Sequence, residues 1–287
     1  MKLVLSRKGF DSGYGGMPSP ILPDGRLVPL PIPTGHDRFT FADLNLPDVD
    51  VGGLLGDLSR DVFCLQTVIH LDPDLDRGSD TRLAGWRPAL GQTGNSQSHL
   101  RDMGIGVEDV FLFFGWFRET EYKSGAWCYV KGAPHLHVMF GWIEVADVLP
   151  IVLERERCLS EFPWISNHPH VSRPDHYTDP RNTLYIAANQ SHFNPNVGYG
   201  GGRFLKYDDR LRLTKPGRSR SVWSLPAWFT PKAGQAALSY HPRPDQWEQD
   251  GDRVTLRSTA KGQEFVMDCA AYPEGEEWLV GLIQQNA

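Results

Sequence analysis

Two similar aromatic segments constrain the fold of this chain more than any other feature. Val110–Phe117 and His137–Ile143 share the order Phe-Gly-Trp followed by an apolar residue. Both are rich in aromatic and β-branched residues and too short for typical helices, so we predict two strands. The glycine in each predicts a bulge or a close backbone approach. We therefore expect the two strands to be neighbours in one curved sheet.

The rest of the chain predicts further strands and a few helices. Asp24 and Gly25 lie between apolar runs, which is typical of a hairpin turn. Strands are expected at Lys2–Ser6, Val62–Ile69, Thr183–Ala187, Val222–Leu225, Arg253–Arg257 and Glu264–Met267. Helices are expected at Asp50–Leu58, Ser96–Met103 with Ser96 as N-cap, Ala146–Cys158 and Glu274–Gln285, and Pro163–Pro180 is expected to be an ordered loop. We predict an α+β fold of one domain, residues 1–287, with a curved, mostly antiparallel sheet or an open barrel.

Composition excludes several classes of protein. The chain has 40% hydrophobic and 22% charged residues, as globular proteins do. Its longest apolar run is too short to cross a bilayer, and neither a signal peptide nor a CxxC pair is visible. We therefore expect a cytoplasmic protein. A net charge of −6 excludes a protein that coats long duplexes by charge alone.

Two histidine pairs with the spacing His-X-His are candidate metal ligands. His135 and His137 precede or begin one predicted strand, where residues two apart face the same side. His168 and His170 repeat the spacing in the proline-rich loop. Because imidazole is a common metal ligand, the four could hold one ion. The alternative is that His137 packs beside the sheet while the loop histidines are solvated.

Polar groups near strand ends are candidates for catalysis and substrate binding. His70 follows an apolar segment, and Asp72, Asp74 and Asp76 come directly after it. Carboxylates clustered in this way can bind a hard cation or share a proton. The alternative is a polar loop in which Asp72 caps a turn. Arg87, Gln92 and His99 form another group, since an arginine fork and an amide suit a phosphate or a base edge.

A basic segment, Arg203–Arg220, is the strongest local charge feature. It holds seven lysines and arginines against two aspartates, an excess of five. Interleaved aromatic residues and nearby glycines suit phosphate contact and base stacking, so we expect Lys206 and Arg210 to bind phosphate. A solvated hairpin is the alternative. Arg7, Lys8 and Asp11 adjoin a second glycine-rich loop, Gly13–Gly16.

Several phrases together resemble one family. They are Ser6–Asp11, Pro18–Gly25, His70–Leu75, Gly91–Gln92, His99–Leu100, Phe111–Arg118, His137–Ile143 and Gly262–Val266. In order and number they resemble the nucleotide modification associated domain family, third type, over nearly the whole chain. The resemblance implies an association with base modification of nucleic acids in bacteria and phages, without an established reaction. The Phe-Gly-Trp strands are also similar to those of small PUA, ASCH and EVE barrels, which hold a flipped or modified base between aromatic groups.

Three functions follow as hypotheses: an enzyme acting on a nucleotide or base, a non-catalytic reader of a modified base, and a histidine-ligated metalloenzyme unrelated to nucleic acid. The cofactor is not identified, although a divalent metal ion fits the candidate ligands. The residues expected to be catalytic are Asp11, His70, Asp72, His99 and Glu264. Those expected to bind substrate or phosphate are Arg7, Lys8, Arg87, Gln92, Trp116, Arg118, Lys206 and Arg210, with Trp142 as a second stacking candidate. We expect these groups to converge on one aromatic-walled cavity.

Overall fold

The computed structural model describes residues 1–44, 46–76, 82–232, 235–260 and 262–286. The strands are β1 (Lys2–Arg7), β2 (Ser19–Ile21), β3 (Phe39–Thr40), β4 (Val68–Ile69), β5 (Ala89–Gln92), β6 (Val110–Lys123), β7 (Ala126–Tyr129), β8 (Leu136–Pro150), β9 (Thr183–Ala187), β10 (Gly201–Arg203), β11 (Val222–Pro226), β12 (Trp247–Asp250), β13 (Arg253–Arg257) and β14 (Glu264–Asp268). The α-helices are α1 (Val51–Ser59), α2 (Gly94–Asp102), α3 (Arg155–Glu161), α4 (Pro169–Ser172) and α5 (Glu274–Asn286).

The main sheet is mixed. Its path runs β14-β1-β6-β8-β9-β5, while β10 pairs with β8 and both β2 and β7 pair with β6. β1 and β2 are parallel to β6, and the other pairs of this sheet are antiparallel. The described strands of this sheet do not close into a barrel, because β14 and β5 end the path. The predicted α+β class is therefore confirmed, and of the two predicted forms the open sheet is the one observed.

The two aromatic segments form the central pair, β6 and β8, as predicted. Their register shifts between Phe113 and Phe114, which is a bulge. A Cβ atom at Gly115 would lie 2.9 Å from the carbonyl oxygen of Lys8, and one at Gly141 would lie 2.7 Å from that of Gly202. Both glycines thus allow another backbone to come close.

Three sequence predictions of secondary structure are wrong. The loop expected at Pro163–Pro180 contains a 3-10 helix, Pro163–Asn167, and the short helix α4. The helix expected at Ala146–Cys158 is replaced by the end of β8 and the shorter α3, because residues 147–150 pair with β9. Here strand pairing with β9 overrides the local preference for a helix. The strand expected at Val62–Ile69 is reduced to β4, and Val62 is 70% exposed. In addition, α2 begins earlier than expected, with Thr93 rather than Ser96 as N-cap.

Three hydrophobic clusters hold the segments that form the site. The largest is built around β6 and β8 and includes Trp142, which is 1% exposed and therefore cannot stack on a ligand. A second cluster, beside α1, buries Ile69 and Leu71 on either side of His70. A third buries Val171, next to His170. The loops that carry both histidines are thereby anchored by their apolar neighbours. None of the helices in the described ranges is long and apolar enough to cross a membrane.

Candidate functional site

An open cavity of about 520 Å³ lies where three strands end. Arg7 ends β1, Gln92 ends β5, and His70 directly follows β4. The lining residues come from within segments 7–14, 32–36, 70–72, 91–93 and 170–177, and from Gln263. Side chains far apart in sequence therefore meet here, as is common where loops at strand ends are held by a rigid scaffold. We call this space the main cavity.

A group of two histidines and one aspartate lies in the wall of the main cavity. His70, Asp72 and His170 each offer a donor atom, and these atoms all lie within 4.8 Å of one another. Nε2 of His70 is 3.9 Å from Oδ2 of Asp72. Asp72 is buried and His170 is 4% exposed, so water competes little for their donor atoms. We call these three residues the triad.

The other nitrogen of each triad histidine is already engaged. Nδ1 of His70 is 2.8 Å from Oδ2 of Asp37, and Nδ1 of His170 is 2.6 Å from Oδ1 of Asn182. Since a carboxylate and an amide oxygen can only accept, both Nδ1 atoms carry the proton. Each Nε2 is consequently left with a free lone pair. This is the pattern of metal-ligating histidines, in which an outer oxygen sets the tautomer and ring orientation.

Backbone and imidazole groups hold the carboxylate of Asp72. The amide of Gly91 donates to Oδ1 at 2.6 Å, and Nε2 of His168 lies 3.5 Å from the same oxygen. His168 accepts the amide hydrogen of His170 at Nδ1, so its proton is on Nε2 and faces Asp72. His168 is therefore a support of the triad rather than a member of it, which differs from its predicted role as a ligand.

Gly91 also makes room for the second histidine of the triad. A Cβ atom at position 91 would overlap the imidazole ring of His170. The glycine in β5 thus lets the ring approach the strand backbone while its own amide hydrogen points to Asp72. One backbone position in this way places two of the three triad residues.

A buried charge cluster lies beside the triad. Nζ of Lys8 is 3.4 Å from Oε1 of Glu264 and 4.0 Å from Oδ2 of Asp72. The side-chain amide of Gln92 donates to the same Oε1 at 2.6 Å. Glu264 is 1% exposed, and its Oε2 has no hydrogen-bond partner among the described residues. A buried carboxylate oxygen without a partner is costly and is a candidate for contact with a ligand proton.

Protonation in the site follows from burial and neighbouring charge. Burial lowers the pKa of His170 to about 3, which keeps its imidazole neutral. Burial alone would raise the pKa of Asp72, but hydrogen bonding from His168 and the charge of Lys8 together hold this pKa well below its usual range. Near neutral pH the triad therefore offers a neutral imidazole on His170 and a carboxylate on Asp72, forms that bind metal ions.

Tyr177 covers the triad. Its ring stacks on those of His170 and His70, with centroids 4.6 and 5.8 Å away. Burial, and then the charge of Asp37, raises the pKa of its phenol, so the hydroxyl stays protonated. This hydroxyl lies 2.9 Å from Nδ1 of His70 and can donate to the carboxylate of Asp37 at 3.4 Å, so it supports the contact between these two residues.

Several of the residues predicted to converge do so. Arg7, Lys8, Asp11 and Gln92 line the main cavity together with His70, Asp72 and His170, while Glu264 lies directly behind Lys8 and Gln92. His99 does not line it, because its Nε2 lies 3.0 Å from Oγ of Ser239 and its ring packs against Tyr240.

Other predicted residues are placed elsewhere. Arg87 is ion-paired with Asp147 at 2.7 Å, and Arg118 donates to the carbonyl oxygen of Val130. Exposed Arg210 is paired with Asp208, and exposed Lys206 forms a backbone β-bridge with Arg26. These four residues therefore have structural partners or lie on the surface, away from the main cavity.

The first histidine pair is not joined to the second. Nδ1 of His137 accepts the indole hydrogen of Trp223 at 3.0 Å, and Nδ1 of His135 accepts that of Trp116 at 2.9 Å. Burial lowers the pKa of His137 to about 3. The four-histidine ion site is not assembled, since His168 and His170 lie with Asp72 instead.

Sequence reasoning missed Asp37, Tyr177 and Asn182, and it paired the triad histidines wrongly. Each missed residue is a single polar group outside a motif. Asp37 lies in Gly35-His36-Asp37, just before an apolar stretch, and Asn182 precedes the predicted strand β9. The available signal was therefore limited to Asn182, a polar residue directly before a predicted strand.

Comparison with known proteins gives one result. The family described as nucleotide modification associated domain 3 matches residues 2–268, which is most of the chain. No curated protein and no solved structure matches the chain, so the similarity to small PUA and ASCH barrels is not confirmed. The match supports a role related to nucleotide modification. The chain belongs to the nucleotide modification associated domain 3 family.

Proposed function

We propose that this protein is a metal-dependent enzyme that modifies a nucleotide or a nucleic-acid base in the main cavity. The observation that carries the proposal is the triad: three donor atoms within 4.8 Å, with both histidine Nδ1 atoms already engaged. Two histidines and one carboxylate with open positions are typical of catalytic mononuclear metal sites, including non-haem iron(II) and zinc. The family match supports the class of substrate.

The residues of the triad would leave part of the ion open to the cavity. Nε2 of His70, Nε2 of His170 and a carboxylate oxygen of Asp72 would bind it, because these are the atoms with free lone pairs. A bound divalent ion acidifies a water molecule and polarises a substrate oxygen. The protein adds orientation, since Asp37 and Asn182 hold the two rings.

Lys8, Glu264 and Gln92 would act on the substrate beside the ion. Lys8 supplies a positive charge and Gln92 an amide at the cavity wall. Glu264, buried behind them, can exchange a proton through Lys8 at 3.4 Å. Tyr14 lines the cavity and is 58% exposed, so its ring is available to stack on a base. We also propose that the enzyme acts in the cytoplasm, where its free cysteines would remain reduced.

A non-catalytic reader of a modified base is the competing function. A reader needs an aromatic cage. Trp142 is buried in the core and Trp116 does not line the main cavity, so Tyr14 and Tyr177 are the aromatic side chains that would have to form it. A reader has no use for two histidines oriented towards a carboxylate. The geometry therefore favours the enzyme.

Metal binding by purified protein tests the proposal. Protein freed of metal with a chelator is titrated with Zn²⁺, Mn²⁺ and, without oxygen, Fe²⁺. We expect one ion per chain, and loss of that ion in His70→Ala, Asp72→Asn and His170→Ala. His135→Ala and His192→Ala, histidines outside the triad, are the matched controls and should bind as wild type. If the wild-type chain binds no ion, or the triad variants bind as well as it does, the proposed site is wrong.

The reaction is sought with the metal-loaded protein. DNA, RNA and mononucleotides are incubated with it, digested to nucleosides and examined by mass spectrometry for a changed nucleoside. A new mass that depends on the metal and is absent with Asp72→Asn supports the enzyme. Tight binding of a nucleic acid without any new mass, by a protein that binds no metal, supports the reader instead.

A further inference from the structure

A second cavity of about 250 Å³ adjoins the main cavity. The two share Arg7 and Asp11 as lining residues. The second cavity is also lined by Arg220, Ser258 and Thr259. We call it the arginine cavity. Because Arg7 borders both spaces, a ligand that extends out of the main cavity would pass its guanidinium group.

Arg220 is held in place before any ligand arrives. Its guanidinium lies over the ring of Trp116, 4.0 Å from the ring centroid. Its Nη2 donates to Oγ of Ser12 at 2.6 Å. The indole nitrogen of Trp116 is in turn bonded to His135. Trp116 is thus a positioning residue for Arg220. This contact accounts for an aromatic side chain in the wall of the arginine cavity without any need for a base to stack on it.

Arg7 is held by the backbone of the loop that precedes β14. Its Nη2 donates to the carbonyl oxygens of Gly262 at 2.7 Å and Ala260 at 3.0 Å. In the described part of the chain, neither Arg7 nor Arg220 has a carboxylate within 4.0 Å of its side-chain nitrogens. Two preorganised arginines without such an ion pair therefore line one small cavity.

The nearby acidic group does not neutralise this cavity. Asp11 directs Oδ1 to the backbone amides of Gly13 and Tyr14, at 2.7 and 2.8 Å. Glu264, the other carboxylate that acts on Arg7, is itself paired with Lys8 at 3.4 Å, which leaves the carboxylate of Asp11 against two guanidinium groups. The histidine of the cavity, His137, accepts a hydrogen bond from Trp223 and stays neutral. The arginine cavity therefore keeps a positive charge.

The remaining lining groups suit an anion with several oxygens. Ser221 and Ser258 place hydroxyl-bearing residues beside the two arginines. Guanidinium groups bind phosphate with two parallel hydrogen bonds, and hydroxyl groups add single donors. A carboxylate has two oxygens and would leave part of this donor set without a partner, whereas a phosphate group matches it.

We propose that the arginine cavity binds a phosphate group of the substrate whose base lies in the main cavity. This inference rests on the proposed function. The substrate is then a phosphorylated nucleotide or a nucleic-acid strand, and a free base or nucleoside is excluded. Arg7 joins the two cavities and would orient the sugar-phosphate portion, while Arg220 closes the far side.

Ligand binding to metal-free protein tests the inference apart from any reaction. Calorimetric titration compares deoxynucleosides, their 5′-monophosphates, a short single-stranded oligodeoxynucleotide and inorganic phosphate. We expect measurable binding of the phosphorylated ligands and binding of nucleosides that is about 10- to 100-fold weaker. Stronger binding of the oligonucleotide than of any mononucleotide would identify the strand as the source of the phosphate, and equal binding would identify the free nucleotide.

Three variants locate the effect. Arg220→Ala should weaken binding of the phosphorylated ligands about 10- to 100-fold and leave nucleoside binding unchanged. Arg220→Lys keeps the charge but loses the paired hydrogen bonds of a guanidinium group. Its affinity for phosphorylated ligands should lie between those of wild type and Arg220→Ala. Arg218→Ala removes an exposed arginine two residues away and should bind as wild type. Equal binding of phosphorylated ligands by wild type and Arg220→Ala would overturn the inference.

Metal titration of the same variants separates this inference from the proposed function. Arg220→Ala should still bind one ion per chain. If it does, and phosphate binding is unaffected by the substitution, the phosphate inference fails while the metal site stands. If the wild-type protein binds no ion, and Arg220→Ala binds phosphorylated ligands more weakly than wild type, the metal site fails and the phosphate site stands.

Discussion

His137 gives a quantitative test of how burial keeps a histidine neutral in this fold. Its ring is 7% exposed and accepts a hydrogen bond from Trp223 at 3.0 Å. Burial, and then the positive charges of Arg220 and Arg7, lower its pKa from 6.5 to about 3. The folded protein therefore holds this histidine neutral. The unfolded chain protonates it at its ordinary pKa.

The sign of the pH dependence follows from the lowered pKa. Between the folded and the unfolded pKa the unfolded state binds more protons, so the stability contribution is complete above about pH 6.5 and is lost as the pH falls towards 3. One pKa unit corresponds to about 1.4 kcal/mol. Near pH 5, about 1.5 units below the ordinary value, His137 alone should lower the free energy of unfolding by about 2 kcal/mol.

Urea unfolding at several pH values measures this contribution. His137→Asn keeps an acceptor for the indole hydrogen of Trp223 but removes the titration. The difference in unfolding free energy between wild type and variant should change by about 2 kcal/mol from pH 8 to pH 5, in favour of the variant at low pH. Other buried histidines, such as His170, cancel in this difference. A difference that is constant with pH would refute the argument.

Three further predictions concern the triad and its support. Gly91→Ala should displace the ring of His170 and weaken metal binding at least about tenfold in a chelator competition. The control is Gly35→Ala, which should bind metal as wild type because there is open space at its Cβ position in the same cavity wall. Asp37→Asn should weaken metal binding about 10- to 100-fold in that assay, because His70 loses its carboxylate partner, and an unchanged affinity would exclude this supporting role. Glu264→Gln should lower the free energy of unfolding by about 3–5 kcal/mol in urea, since Lys8 loses its nearer buried carboxylate and keeps only that of Asp72 at 4.0 Å. A loss below about 1 kcal/mol would show that the pair of Lys8 and Glu264 matters little.

The central sheet could be predicted because its residues carry a local signal. β6 and β8 are aromatic, β-branched and interrupted by one glycine each, and these properties depend on neighbours within a few residues. The end of β8 could not be predicted. Residues 147–150 have a pattern compatible with a helix, and their strand form depends on β9, more than 30 residues later.

The three members of the triad could be identified from the sequence, but not their grouping. His70, Asp72 and His170 were each candidates, yet spacing along the chain paired His170 with His168 and with the distant His135 and His137. The actual group is set by Gly91, whose strand brings the two loops together. Contacts of this kind depend on strand register, which the sequence of one chain does not reveal.

The place of Gly91 in β5 couples the candidate ion to the margin of the main sheet. β5 is the terminal strand of the sheet path, and terminal strands are where a sheet frays first. Asp72 contacts this strand through the backbone amide of Gly91, and the ring of His170 packs against the same residue. An ion bound by Asp72 and His170 would therefore hold the strand through two contacts. Metal binding would then also reduce the motion of β5 at the edge of the sheet. Loss of the ion would make this part of the cavity wall more mobile.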